Sequence, residues 1–145
     1  MAEKNNPIFA ILGVVAVLAG TGAAGWIVWD QNRPRLEAPT DPLVCWRMEM
    51  EGGRPKFTVL DRPIENLESC AAQLEGIHLE TGATLRGAYQ GRFIFVDSDA
   101  IQSSPTIDGA RWRIFWGAQR EALDKKIRAA RQRQLLGLPP LKPPP

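Results

Sequence analysis

LVCWRMEMEGGRPKFTVL, residues 43–60, is the stretch on which the fold of this chain turns. From Leu43 to Met50 the residues alternate, with Val44, Trp46, Met48 and Met50 on one side and Cys45, Arg47 and Glu49 on the other. Period-two alternation of this kind is the mark of a half-buried strand. Glu51-Gly-Gly53 then supplies a turn, and Pro55 to Leu60 reads as the hairpin partner, with Phe57 and Val59 at strand spacing.

Outward from the hairpin the period changes. Arg62-Pro63 is predicted to open a helix, because proline is tolerated in the first turn, and Ile64, Leu67, Ala71 and Leu74 follow at three- and four-residue spacing. Gly82 reads as its end. A short strand around Ala83 to Leu85 and a tighter one over Arg92 to Val96 come next, with Gly87-Ala-Tyr-Gln-Gly91 as the bend between them. The pattern predicts an α+β fold, a small antiparallel ββαββ-type domain over residues 43–105. At that length a self-sufficient core is near its lower limit.

N-terminal to the domain lies a different kind of segment. After a short tail (1–7), residues 8–29 carry no charge, and 22 helical residues at about 1.5 Å each match the roughly 30 Å hydrocarbon core of a bilayer. The competing reading, a cleaved secretory signal, fits worse, because Trp26-Ile-Val-Trp29 restores hydrophobicity after the small residues. The segment is therefore expected to be an uncleaved transmembrane helix, with Trp26 and Trp29 at the interface. Gly13, Ala16, Gly20, Ala23 and Ala24 place small residues along one face, a candidate surface for packing against another membrane helix, although small residues are also common in simple anchors. Residues 30–42, with three prolines and alternating charge, read as a linker.

Orientation clues conflict. Basic residues are fewer before the segment than after it, which leans toward a cytoplasmic C-terminal side, yet long domains translocate largely regardless of charge. Cys45 and Cys70 point the other way: they are candidates for a disulfide, useful to a small domain in an oxidising compartment, against the alternative of two unconnected buried thiols. A bridge requires Cys45 to face the helix that carries Cys70, out of phase with Trp46 and Met48. The expected location is the inner (cytoplasmic) membrane, single-pass, with the C-terminal domain periplasmic.

The C-terminal region changes character. Residues 108–145 hold nine Lys or Arg against three Asp or Glu, whereas residues 1–107 hold nine against thirteen, so a near-neutral total hides a polar chain. Trp112, Phe115, Trp116, Leu123 and Ile127 recur at helical spacing, while Arg120, Lys125 and Arg128 fall mainly elsewhere on the wheel. A basic amphipathic helix is predicted over 106–136, followed by a polyproline tail, 137–145. Its apolar stripe has three possible homes: an anionic lipid bilayer surface, a groove on a partner protein, or the chain's own domain. Partner docking is favoured, because a helix packed at home leaves the proline-rich end without a role.

Chemistry-bearing constellations are scarce. His78 is the only histidine, no Cys-x-x-Cys pair occurs, and Asp97 and Asp99 read as a solvated strand end, so no catalytic residue, metal ligand or cofactor site is assigned. Neither a nucleophile elbow nor a phosphate-binding glycine loop is present. The expectation is a non-catalytic, single-pass accessory or assembly subunit of a larger membrane complex, a plan shared by analogy of architecture with subunits of bacterial bioenergetic assemblies. Its expected partners are integral membrane subunits and the lipid bilayer, with no nucleic acid and no small-molecule substrate. The alternatives are a tethered ligand-binding domain using Trp46, Tyr89, Phe93 and Phe95, and, behind it, a thiol-redox protein.

Overall fold

The computed structural model describes residues 35–140. The expected tail 1–7, membrane segment 8–29 with its packing candidates Gly13, Ala16, Gly20, Ala23 and Ala24, the first part of the linker and the last five residues lie outside the described residues. Among the described residues no helix is long and apolar enough to cross a membrane.

The fold is α+β, one antiparallel sheet of six strands with two helices. Strands β1 (Cys45–Glu51) and β2 (Arg54–Asp61) form the expected hairpin, paired from Cys45 opposite Asp61 to Glu51 opposite Arg54. Gly52 and Gly53 make its two-residue turn, both with positive φ (59° and 78°), the conformation that matches strand twist and that glycine adopts without steric cost. Helix α1 (Leu67–Thr81) follows, then β3 (Leu85–Tyr89), β4 (Arg92–Val96), β5 (Ala100–Ser104), β6 (Trp112–Trp116) and helix α2 (Gly117–Leu135). The sheet order is β2-β1-β3-β4-β5-β6. Because β2 and β3 both run antiparallel to β1, they are parallel to each other, and α1 is the crossover that joins them across β1.

Both faces of the sheet are buried. On one, Cys45, Ile94, Val96 and Ile101 pack under α1 through Cys70, Ala71 and Leu74. On the other, Met48, Ala88, Phe93 and Phe95 are covered by Leu36, Ala38 and Ile107. That is why the central strand β4, Arg-Phe-Ile-Phe-Val, is apolar on both faces.

Several sequence expectations are corrected. The four-strand domain of 43–105 gains two strands, and the compact unit begins at Leu36, within the expected linker 30–42. The core is correspondingly larger, so small size is no longer a reason to expect a partner. Helix α1 starts at Leu67 rather than at Pro63, because the Asn66 side chain accepts a hydrogen bond from the Ser69 N–H (2.8 Å) and so caps it there. Gly87 is not in the β3–β4 bend. It lies within β3, where a Cβ would come 2.5 Å from Leu74 Cδ1 and 2.6 Å from the Trp46 carbonyl oxygen; the bend itself is only Gln90-Gly91.

The aromatic beginning of the expected 106–136 helix is strand β6. A bulge gives this strand its helical spacing: Phe115 pairs with Ile101 and Arg113 with Gln102, so Ile114 is left over. The extra residue puts Trp112 and Phe115 on one sheet face at a spacing of three, which imitates a helical stripe. The helix proper, Gly117–Leu135, is as expected from Arg120 onward.

Candidate functional site

Cys45 and Cys70 are joined by a disulfide, with Cα atoms 5.3 Å apart and both residues fully buried between β1 and α1. The alternation of β1 already implied this geometry, since Cys45 faces the helix while Met48 faces the opposite core. The bond ties the start of the first strand to the first turn of the crossover helix and leaves no free cysteine among the described residues.

The residues singled out for docking in the sequence divide into two sets. Phe115 and Leu123 pack against the chain's own helix-side core, and Ile127 is half-buried beside Gly76 of α1. Arg120 goes deeper. It is 8% exposed and donates from Nε (3.1 Å) and from the Nη2 amino group (2.9 and 3.1 Å) to the carboxylate of Glu75, which is 0% exposed on α1. Burial raises the Glu75 carboxyl above its usual 4.5; the Arg120 hydrogen bonds and charge oppose that shift, while neighbouring Asp124 adds to it. This ion pair, with Leu123 and Ile127 one and two turns on, is the inner face of α2. The apolar stripe expected to seek a partner is therefore engaged at home over its first half.

The second set faces outward. Trp112 remains 53% exposed, with the Arg92 guanidinium 5.3 Å from its ring centroid, and Trp116 is 44% exposed at the start of α2. Lys125 and Arg128 are exposed. Beyond Ile127 the apolar packing ends: from Arg128 to Pro140 only Arg133 is even half-buried, and from Lys125 to Pro140 there are five basic residues and no acidic one. Leu135, Leu136 and Leu138 are exposed at its end. The helix closes with Gly137 N–H bonded to the Gln134 carbonyl and Leu138 N–H to the Arg133 carbonyl, while the Arg133 side chain holds the Pro139 carbonyl at 3.0–3.1 Å. The proline-rich end is thereby turned off the helix at a fixed point.

Between this overhanging half of α2 and α1 lies an open groove of about 1100 Å³, lined among others by Ala72, Gln73, Gly76, Ile127, Ala130 and Arg131. The helices cross where Ile127 rests on Gly76; a Cβ there would lie 3.9 Å from Ile127 Cγ2. Arg131 pairs with Glu80 across the groove at 2.6 Å. None of the α1 residues stood out in the sequence, because Ala72 and Gly76 carry no polar group; their spacing of four, small on small, was the available signal.

The polar residues weighed for chemistry are occupied locally. His78 Nδ1 lies 2.7 Å from the Ala83 carbonyl, which can only accept, so the ring donates there and fastens the end of α1. Asp97 accepts from the Asp99 and Ala100 N–H groups and shapes the β4–β5 turn. Desolvation pushes its carboxyl up, but those two bonds and the charges of Arg120 and Arg111 outweigh it and hold the group below 3.8. Among the described residues, no three His, Cys, Asp or Glu side chains converge on a point that could hold a metal ion. Trp46, Tyr89, Phe93 and Phe95 do not line one site: Tyr89 is in the helix-side core, and Phe93 and Phe95 are in the opposite one.

No protein-family model matches the chain, and no curated protein or solved structure matches it.

Proposed function

We propose that this chain is a non-catalytic, single-pass membrane subunit that joins a larger membrane protein complex through its N-terminal segment 8–29 and its C-terminal arm, with the globular domain on the extracytoplasmic side. The observation that carries the reading is the outer half of α2. A helix whose apolar packing at home ends at Ile127, and which continues for two turns with a basic surface and a single exposed ion pair to α1 before ending on exposed leucines, has surface left to meet something else. The buried Cys45–Cys70 disulfide supports the extracytoplasmic side, since such bonds persist in oxidising compartments. The charge-free length of residues 8–29 supports the anchor.

The test is extraction in mild detergent followed by native electrophoresis. The full chain is expected to migrate in a complex well above its 16.1 kDa mass. Removal of residues 128–145, which spares β6 and the Glu75–Arg120 pair, is expected to abolish incorporation while leaving the domain folded. Migration of the intact chain at monomer size would refute the reading.

A further inference from the structure

The β1–β2 hairpin turns its charged side toward the helix layer and its apolar side away from it. Register pairs Trp46 with Val59, Met48 with Phe57 and Met50 with Pro55, and residues directly opposite across two strands share a face. Trp46, Met48 and Phe57 belong to the core on the side away from α1, so all six lie there and no charged side chain interrupts them. Arg47, Glu49 and Lys56 take the other side, where Arg47 pairs with Glu49 and Lys56 with Glu51, both at 2.7 Å. Leu36, Ala38 and Ile107 cover the apolar face only near the middle of the sheet. Met48 is buried there, but Trp46, Pro55 and Phe57 are half-buried, and Met50 and Val59 are 57% and 45% exposed. A continuous apolar surface left in water marks a contact site. The contact is with the face rather than with the edge of β2, because Pro55 has no N–H to give a further strand and Arg54 and Lys56 flank it.

The point where the chain enters the domain selects the occupant. Leu36 packs on the same cluster as Trp46 and Phe57, and only residues 30–35 separate it from Trp29 at the end of the expected membrane segment. That stretch reaches at most about 25 Å when fully extended. A tether so short, fixed to this face, favours it over the helix layer as the side turned to lipid. Charge does not supply the attraction: Arg86, Arg111 and Arg113 around the face are offset by Glu37, Asp41 and Asp108 on the segments beside it, all six exposed. From the entry point and the uncharged, Trp- and Met-bearing surface we infer that the outer face of the β1–β2 hairpin rests on the bilayer that holds residues 8–29, with Trp46, Met50, Phe57 and Val59 at the boundary between headgroups and acyl chains. The inference rests on the anchor in the subunit reading and adds a second contact with lipid. Helices α1 and α2 pack on the other face of the sheet and stay free for the complex.

The test uses the full chain returned to phosphatidylcholine vesicles, with a nitroxide on one introduced cysteine, Met50→Cys or Val59→Cys. Lys56→Cys, on the charged side of the same hairpin, is the control, and Leu18→Cys reports on the anchor. Cys45 and Cys70 are bonded and buried, so they take no label. The ratio of oxygen to nickel-chelate collisions is expected to be about tenfold higher at positions 50 and 59 than at 56, as for groups sunk into the headgroup–acyl boundary. High salt should leave that ratio unchanged, because no charge pairing holds the face down. Met50→Asp, at a site exposed enough to spare the fold, is expected to lower the ratio at position 59 severalfold. Equal ratios at 50, 59 and 56 would overturn the inference, as would a ratio that collapses in salt, an unaffected Met50→Asp chain, or dipolar broadening between labels, which places a second copy on the face. Position 18 in lipid with 50 and 59 in water overturns the hairpin contact alone, whereas position 18 in water overturns the anchor beneath it.

Discussion

Replacing Arg120 by Met is the sharpest perturbation the fold offers. The guanidinium makes three hydrogen bonds to a carboxylate with no exposed surface, and Asp124 stands beside the same carboxylate. Removing one partner of a buried pair leaves the other charge uncompensated, at a cost of about 3–5 kcal/mol. For a domain of this size, whose whole stability is on the order of 5–15 kcal/mol, that is a large fraction. Each kcal/mol moves the midpoint of such a domain by about 4–8 °C, so a fall of at least about 12 °C is expected in a thermal scan. The pH dependence carries the signature. Glu75 is already raised by burial, so between 4.5 and its raised folded value the folded state binds the extra proton, and stability falls as pH rises through that window. Without Arg120 the Glu75 carboxyl is raised further, so Arg120→Met should regain stability on acidification more steeply than the parent. Glu75→Leu with Arg120→Met, which removes both charges, should return to within about 1–2 kcal/mol of the parent and lose the slope. A loss below about 1 kcal/mol for Arg120→Met, or a loss independent of pH, would refute the assignment of this pair as the fastening of α2.

Converting Cys45 and Cys70 together to serine frees a loop of 25 residues in the unfolded chain, and the chain-entropy relation puts the cost at about 3.5 kcal/mol, readable as a lower urea midpoint that reductant no longer shifts. Gly87→Ala forces a methyl group into Leu74 and the Trp46 carbonyl, and overpacking of that kind should cost about 1–3 kcal/mol by urea unfolding, whereas Gly53→Asn in the hairpin turn should cost far less. Asp97 has a lowered folded value, so its contribution is present above pH 3.8 and lost as pH falls below it; Asp97→Asn should lose about 1–2 kcal/mol at pH 7 and flatten that acid limb in a pH series of thermal scans.

What could be read in the sequence follows the strength of local signals. The hairpin was legible because alternation and a Gly-Gly turn agree, and the possibility of a Cys45–Cys70 bond because alternation puts Cys45 on the sheet face opposite Met48, free to face the helix that carries Cys70. Strand β5 was not legible: Gln102, Ser103 and Ser104 lack an apolar pattern, yet Ser103 and Ser104 are buried because β4 and β6 flank the strand. Their hydroxyls are satisfied by contacts that only the fold creates, Arg92 to Ser103 and the Thr106 N–H to Ser104. Strand β6 was hidden by its bulge, which converts a period of two into an apparent period of three to four. The two-helix groove was half legible. The basic face of α2 stood out in the composition, whereas the division of that helix at Ile127 depends on Gly76 and Glu75 being opposite it, a tertiary fact with no local trace.

The strand order has a consequence for how the molecule comes into being. After the crossover, each new strand is laid on the free edge of the one synthesised just before it, β3 to β4 to β5 to β6, so no later strand has to be inserted between two that are already paired. Both halves of the only covalent clasp among the described residues lie in the first part of this series, so that clasp can shut while the C-terminal third of the chain is still unmade. The arm that carries the basic charge arrives after every strand of the sheet, and it reaches a finished surface.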